Sequence, residues 1–223
     1  MIFQEQSSTK KRDSFINYAE KRHFNSETMK VAIIKYNAGN VQSVRYALQR
    51  IGIDPILTDQ KEEILSADKV IFPGVGEAKS AMDYLKARNL DTLIKELKQP
   101  TLGICLGLQL MCQHSEERDT ECLGIFDTHV KKFESDSLKV PHMGWNNIHD
   151  LKTPLYKGLN DDDYVYYVHS FYAELCEETI AVTDYVHPYS ASLHKNNFYA
   201  AQFHPEKSGD VGQKIIQNFI SEC

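Results

Sequence analysis

Gly103-Ile104-Cys105-Leu106-Gly107-Leu108-Gln109 reads as a buried strand that delivers one cysteine onto the first turn of a helix. The flanking glycines permit a turn tight enough to strain the residue at its tip, because a residue without Cβ lets backbones approach closely. Such a turn aims Cys105 outward as a nucleophile. A free thiol of pKa about 8.5 is only slightly ionised at neutral pH, and the positive end of a helix or a nearby imidazole raises the thiolate fraction. The segment Gln202-Phe203-His204-Pro205-Glu206-Lys207-Ser208-Gly209 offers that imidazole. In an extended segment His204 and Glu206, two apart, leave the backbone on the same side, so the carboxylate accepts from one ring nitrogen and the other faces a thiol. Chain order does not matter to such a triad, which is defined by roles rather than position.

Each residue alone has a duller reading. Free cysteine is among the most buried residue types, and Cys112, one heptad further along the same helix, is read as packing. A single histidine is ordinarily a satisfied core or surface group; it is Glu206 beside His204 that argues for chemistry. Pro73-Gly74-Val75-Gly76 could be a simple strand-ending turn. Trp145, the only tryptophan, could be core. His129, His142, His149, His169, His187 and His194 show no repeated ligand spacing, so no metal is expected. Asp161-Asp162-Asp163 reads as a solvated turn. No G-x-x-x-x-G-K-[ST] loop is present for nucleotide phosphates, and no cofactor is implied.

The elements that must position these groups alternate. Val31-Ala32-Ile33-Ile34 reads as a buried strand; Asn40 caps a helix running through Gln49 and ended by Gly52. Ile56-Leu57 starts a second strand. Val70-Ile71-Phe72 forms a third, entering the glycine loop ahead of helices from about Glu77 to Ala87 and from Asp91 to Leu97. Thr101 to Ile104 feeds the cysteine turn, and a helix from Leu106 to His114 follows it. This order predicts parallel strands with the site at their carboxyl ends. The second half holds short strands around Val130, Asn147, Val165, Ile180, Ala191 and Tyr199, one hairpin turned by Asn196-Asn197, and a final helix from about Asp210 to Ile220. The expected fold is α/β, a mixed and mainly parallel central sheet flanked by helices.

At 223 residues and 42% apolar, the chain can bury one substantial core. A net charge of −6 argues against a nucleic-acid surface, which needs clustered Lys and Arg. Five cysteines without a CxxC pair suit a reducing cytoplasm better than a disulfide framework. No run approaches the roughly 20 apolar residues that span a bilayer, so no membrane association is expected. Residues 1–28 read as a poorly ordered extension or an over-called start, with Met29 a natural beginning. Their basic character leaves a transit peptide as the alternative, against which four acidic residues count.

Together the cysteine turn, the His-Pro-Glu segment and Pro73-Gly74-Val75-Gly76 resemble the class I glutamine amidotransferases, from Met29 to the end. The resemblance implies a flavodoxin-like amidotransferase domain over 29–223 that hydrolyses L-glutamine, with Cys105, His204 and Glu206 catalytic. It implies an oxyanion hole from the N–H groups of Leu106 and of the Val75 and Gly76 turn, and glutamine contacts at Gly74, Gln109, Tyr166, His169 and Ser170. Asn37-Ala38-Gly39-Asn40, Pro141-His142-Met143-Gly144-Trp145-Asn146 and His204-Pro205-Glu206-Lys207 are narrower. They resemble the branch whose glutaminase feeds ammonia to a separate cyclase with a (β/α)8 barrel, in a heterodimer that serves histidine biosynthesis. Such a barrel takes about 250 residues, so the cyclase must be another chain. Pro141, Met143 and Trp145 are candidate docking residues, the indole being the kind of anchor enriched at interface hot spots. Asn40 and Lys207 face the partner by resemblance. Glutaminases for pyridoxal phosphate or anthranilate synthesis, a stand-alone cysteine hydrolase, and a non-catalytic regulatory module on the same fold are the alternatives.

Overall fold

The computed structural model describes residues 29–36, 39 and 41–223. The expectations placed on residues 1–28 and on Asn40 lie outside the described residues. In chain order the elements are β1 (Val31–Ile34), α1 (Val41–Gln49), β2 (Ile56–Thr58), α2 (Lys61–Leu65), β3 (Lys69–Gly74), α3 (Ala78–Lys86), α4 (Leu90–Glu96), β4 (Thr101–Cys105) and α5 (Leu106–Met111). The second half comprises β5 (His114–Ser115), β6 (Thr120–Glu121), β7 (His129–Lys132), β8 (His142–Asn147), β9 (Tyr164–His169) and β10 (Phe171–Ala173). It ends with β11 (Thr179–Asp184), β12 (Pro188–Lys195), β13 (Phe198–Ala201) and α6 (Gly209–Glu222).

Five strands, in the order β2-β1-β3-β4-β13, pair in parallel and form the body of the main sheet. That is the doubly wound order in which ligands sit beyond the carboxyl ends of the strands. Past β13 the sheet turns mostly antiparallel through β12, β10 and β7, with β11 beside β12 and the short β5 and β6 at the far edge. β8 and β9 form a separate antiparallel ribbon.

Alternation along each strand divides the core into two layers. Val31 and Ile33 of β1, with Ile71, Leu102 and Ile104, meet α1 and α6 through Val44, Leu48, Ile216 and Phe219. Ala32 and Ile34, with Val70 and Phe72, face α3, α4 and α5 through Met82, Leu85, Ile94 and Leu108. Among the described residues, no helix is long and apolar enough to cross a membrane.

The first half follows the expected order, with differences that have physical causes. α2 is one short turn whose single buried side chain is Ile64, too little for a periodic signal. α5 stops at Met111 rather than His114, because the backbone at Cys112 becomes extended and the next residues pair as strand β5. β3 continues through Pro73 to Gly74, so the glycine loop begins later than expected. The Asn196-Asn197 turn is present: Lys195 pairs with Phe198, and Asn196 takes φ 55°. Asn197 locks the turn to the start of β4, its side-chain amide donating to the Leu97 and Gln99 carbonyls.

Candidate active site

Cys105 ends β4 with φ 52° and ψ −105°, a left-sided conformation that a residue with a Cβ seldom adopts. Close packing enforces it. A Cβ on Gly107 would lie 1.9 Å from the Phe72 carbonyl oxygen of β3, so glycine there lets α5 seat directly on the neighbouring strand. Gly103 is similarly covered, by the Gly107 carbonyl carbon at 3.0 Å from a would-be Cβ. Cys105 is nevertheless 5% exposed, so the thiol faces an internal cavity rather than open solvent.

The base arrives from the adjoining strand. β13 pairs with β4 in parallel, with Ala201 opposite Ile104, and the chain beyond it carries His204. The extended segment expected for His204 to Glu206 is corrected: only His204 is extended, and Pro205–Lys207 is one turn of 3-10 helix. The turn still folds the carboxylate back onto the ring, with Glu206 Oε1 2.8 Å from His204 Nδ1 and both side chains fully buried. Burial works to lower the His204 pKa. Hydrogen bonds and charges from Cys105 and Glu206 outweigh it and raise the value to about 10.

A cavity of about 270 Å³ opens on Cys105. Among its lining residues are Val75, Gly76, Leu106, Gln109, His169 and Ser170. These are six of the expected oxyanion and glutamine contacts, drawn from three separate stretches of chain. Gly76 has φ +131°, open only to glycine in practice. Leu106 stands in the first turn of α5, where backbone N–H groups have no intrahelical acceptor. Gly74 and Tyr166 are not among the residues lining it. Gly74 packs under the Tyr36 hydroxyl, 2.0 Å from where a Cβ would stand. Tyr166 acts through its backbone: its carbonyl accepts from His204 N–H at 2.9 Å and its N–H donates to Ser208 Oγ at 2.9 Å, fixing the His204 turn. Its ring packs edge-on against Trp145, 6.0 Å between centroids.

Three groups at the site were not foreseen. Glu117 lines the cavity and accepts the Ala78 N–H at 2.7 Å; burial raises its pKa despite that bond. Gln202 is fully buried and its amide donates toward Cys105 Sγ at 3.7 Å. Its place two residues before His204, at the end of β13, was the available signal. The Tyr36 phenol is buried without a hydrogen-bond partner among the described residues, and burial and the Cys105 charge raise its pKa well above the ordinary value.

Pro141, Met143, Trp145 and Lys207 are all exposed, Met143 at 63% and Trp145 at 55%, which removes the core reading of the tryptophan. Pro141 also lines the cavity, so the exposed ribbon and the Cys105 site adjoin. Cys112 is fully buried, as a packing residue should be.

A family model for glutamine amidotransferase class-I matches residues 20–223. The imidazole glycerol phosphate synthase subunit HisH of Bacteroides thetaiotaomicron is 58% identical over 194 residues, covering 86% of this chain and 99% of that protein. The HisH subunit of Bacteroides fragilis is 60% identical with the same coverage, and that of Pectobacterium atrosepticum 45%. Among solved structures, a glutamine amidotransferase of Thermotoga maritima superposes with a TM-score of 0.61 at 15% identity, covering 87% of this chain and 83% of that one. Another glutamine amidotransferase gives 0.67 at 16%, covering 85% and 96%. These two likenesses establish the fold.

Proposed function

This chain belongs to the class I glutamine amidotransferases, and we propose that within them it is the cytoplasmic glutaminase subunit of imidazole glycerol phosphate synthase. Its domain spans residues 29–223 and works in histidine biosynthesis beside a separate (β/α)8 cyclase. The observation that carries this reading is the buried Glu206–His204 pair set against a strained Cys105 at the wall of a small cavity.

The chemistry follows from the geometry. Cys105 attacks the side-chain carbonyl carbon of glutamine through its sulfur, with His204 taking the thiol proton. The carbonyl π-electrons move to oxygen, and N–H groups of Leu106 and of the Val75–Gly76 loop hold the resulting oxyanion. One such donor is worth roughly 100- to 1,000-fold in rate, and a glycine at the loop tip lets the loop switch between engaged and disengaged forms. His204 gives its proton to the departing nitrogen, ammonia leaves, and a glutamyl thioester remains. Neutral His204 then takes a proton from water, whose oxygen attacks the thioester; glutamate leaves and the pair is restored. Glu206 keeps the ring aligned throughout. Gln109, His169 and Ser170 line the side of the glutamine, and the Glu117 carboxylate suits its α-ammonium group.

The exposed β8 residues Met143 and Trp145, with Pro141 and Lys207, form the surface on which the cyclase docks. Ammonia passes there to the chain that forms imidazole glycerol phosphate and aminoimidazole carboxamide ribonucleotide. The test measures ammonia release from glutamine with and without the cyclase and its nucleotide ligand. Hydrolysis should rise on mixing, and Cys105→Ala should abolish it while the two chains still associate. Unchanged release by Cys105→Ala, or hydrolysis indifferent to the cyclase, would overturn the reading.

A further inference from the structure

A carbonyl oxygen can only accept, and one carbonyl sets the direction of a long buried hydrogen-bonded chain. Phe171 O accepts from His169 Nδ1 at 2.7 Å and from Gln109 Nε2 at 2.9 Å. His169 therefore carries its proton on Nδ1 and offers Nε2 as an acceptor, which the Tyr189 hydroxyl fills at 3.3 Å. Having given its one proton to His169, the Tyr189 oxygen accepts from His142 Nδ1 at 3.3 Å. His142 then presents Nε2 to the Asn146 amide, the longest of these nitrogen and oxygen links at 3.5 Å. Both histidines are neutral, as this requires: burial, first of all, holds His142 to about 4 and His169 to about 3.

The other branch leads to the sulfur. The second hydrogen of Gln109 Nε2 goes to Gln202 Oε1 at 3.1 Å, which turns Gln202 Nε2 toward Cys105 Sγ. Cys105, Gln109, His142, His169, Tyr189 and Gln202 are all buried, where water cannot replace a lost link cheaply. A donor to sulfur bonds more strongly when the sulfur is anionic, so the Gln202 amide favours the rotamer and charge state that attack requires.

We propose that Tyr189 and Gln202 are positioning residues for Cys105, the middle and the end of a buried chain that ties strand β8, through its buried His142, to the nucleophile's sulfur. The proposal rests on Cys105 being the nucleophile and β8 the docking strand.

Tyr189→Phe deletes one hydroxyl and keeps the ring edge-on to Phe133. In the assembled synthase, kcat for glutamine hydrolysis should fall about three- to tenfold, the range expected for one hydrogen bond. KM should stay unchanged, while the melting temperature falls by a few degrees, because His142 and His169 each lose a buried hydrogen-bond partner. The rate at which iodoacetamide alkylates Cys105 should fall in parallel, and nitrogen-15 spectra should show His142 losing its fixed Nδ1–H tautomer while His169, held by the Phe171 carbonyl, keeps its own. Gln202→Leu, one link from the sulfur, should lower the alkylation rate further. Wild-type kcat and alkylation in Tyr189→Phe would overturn the proposal, as would a fall in kcat with raised KM and an unchanged alkylation rate, the signature of a disturbed glutamine pocket rather than of a positioned sulfur. Cys105→Ala separates the two readings: if it still hydrolyses glutamine, the underlying assignment fails. If it is dead while Tyr189→Phe is wild type, only the positioning role fails.

Discussion

Replacing Gly107 with alanine adds one methyl group at the point where α5 rests on β3. The added carbon would stand 1.9 Å from the Phe72 carbonyl oxygen and 3.1 Å from its carbon, both backbone atoms of a central strand. Real Cβ atoms essentially never come within 3.0 Å of such a neighbour, so helix and strand must part by at least about 1.1 Å, and no side chain can swing aside instead. Overpacking of this kind costs about 1–3 kcal/mol, which for a domain of this size lowers Tm by roughly 2–12 °C. Alanine is otherwise preferred over glycine in a helix by about 1 kcal/mol, so the measured loss understates the clash. The same displacement shifts the Cys105 turn against His204, which is anchored on β13 and β9 rather than on α5, and a misplacement near 1 Å can cost about 100-fold in rate. Thermal unfolding followed by circular dichroism, together with glutaminase kinetics in the complex, reads both effects. A Tm within about 1 °C of wild type and a kcat within about twofold would mean that contact between α5 and β3 does not set the turn.

Trp145→Ala should leave stability within about 0.5 kcal/mol, since the side chain is 55% exposed, yet weaken cyclase binding by about 2 kcal/mol or more; equal affinity by titration calorimetry would take the indole out of the interface. Acid should destabilise the fold through His142 and His169, whose folded values of about 4 and about 3 lie below the ordinary 6.5. Between those values the unfolded chain binds more protons, so their contribution is full above pH 6.5 and is lost as pH falls toward 4 and below. His142→Gln should flatten this limb in urea midpoints measured at pH 7 and pH 5; an unchanged slope would contradict it.

What the sequence disclosed is what local spacing encodes. Val31–Ile34, the glycine-flanked Cys105 and the His204–Glu206 pair each announce themselves within a few residues, because strand burial, a strained turn and a folded-back carboxylate are short-range matters. Strands of two or three residues such as β5, β6 and β10 exist only because neighbours pair with them, and no periodicity could show them. The same holds for side chains. Glu117 and Gln202 reach the cavity or the sulfur through pairings between distant segments, and the backbone of Tyr166 holds the His204 turn, a role that its side-chain type could not announce. The His-Pro-Glu spacing led to the right contact by the wrong local shape, since both an extended strand and a 3-10 turn can bring those two groups together.

Because β13 slots beside β4 in the middle of the sheet while being its last strand in chain order, the sulfur and the imidazole meet only when the late-made strand has paired with the earlier one. A growing polypeptide that has not yet made β13 displays the thiol without its proton donor.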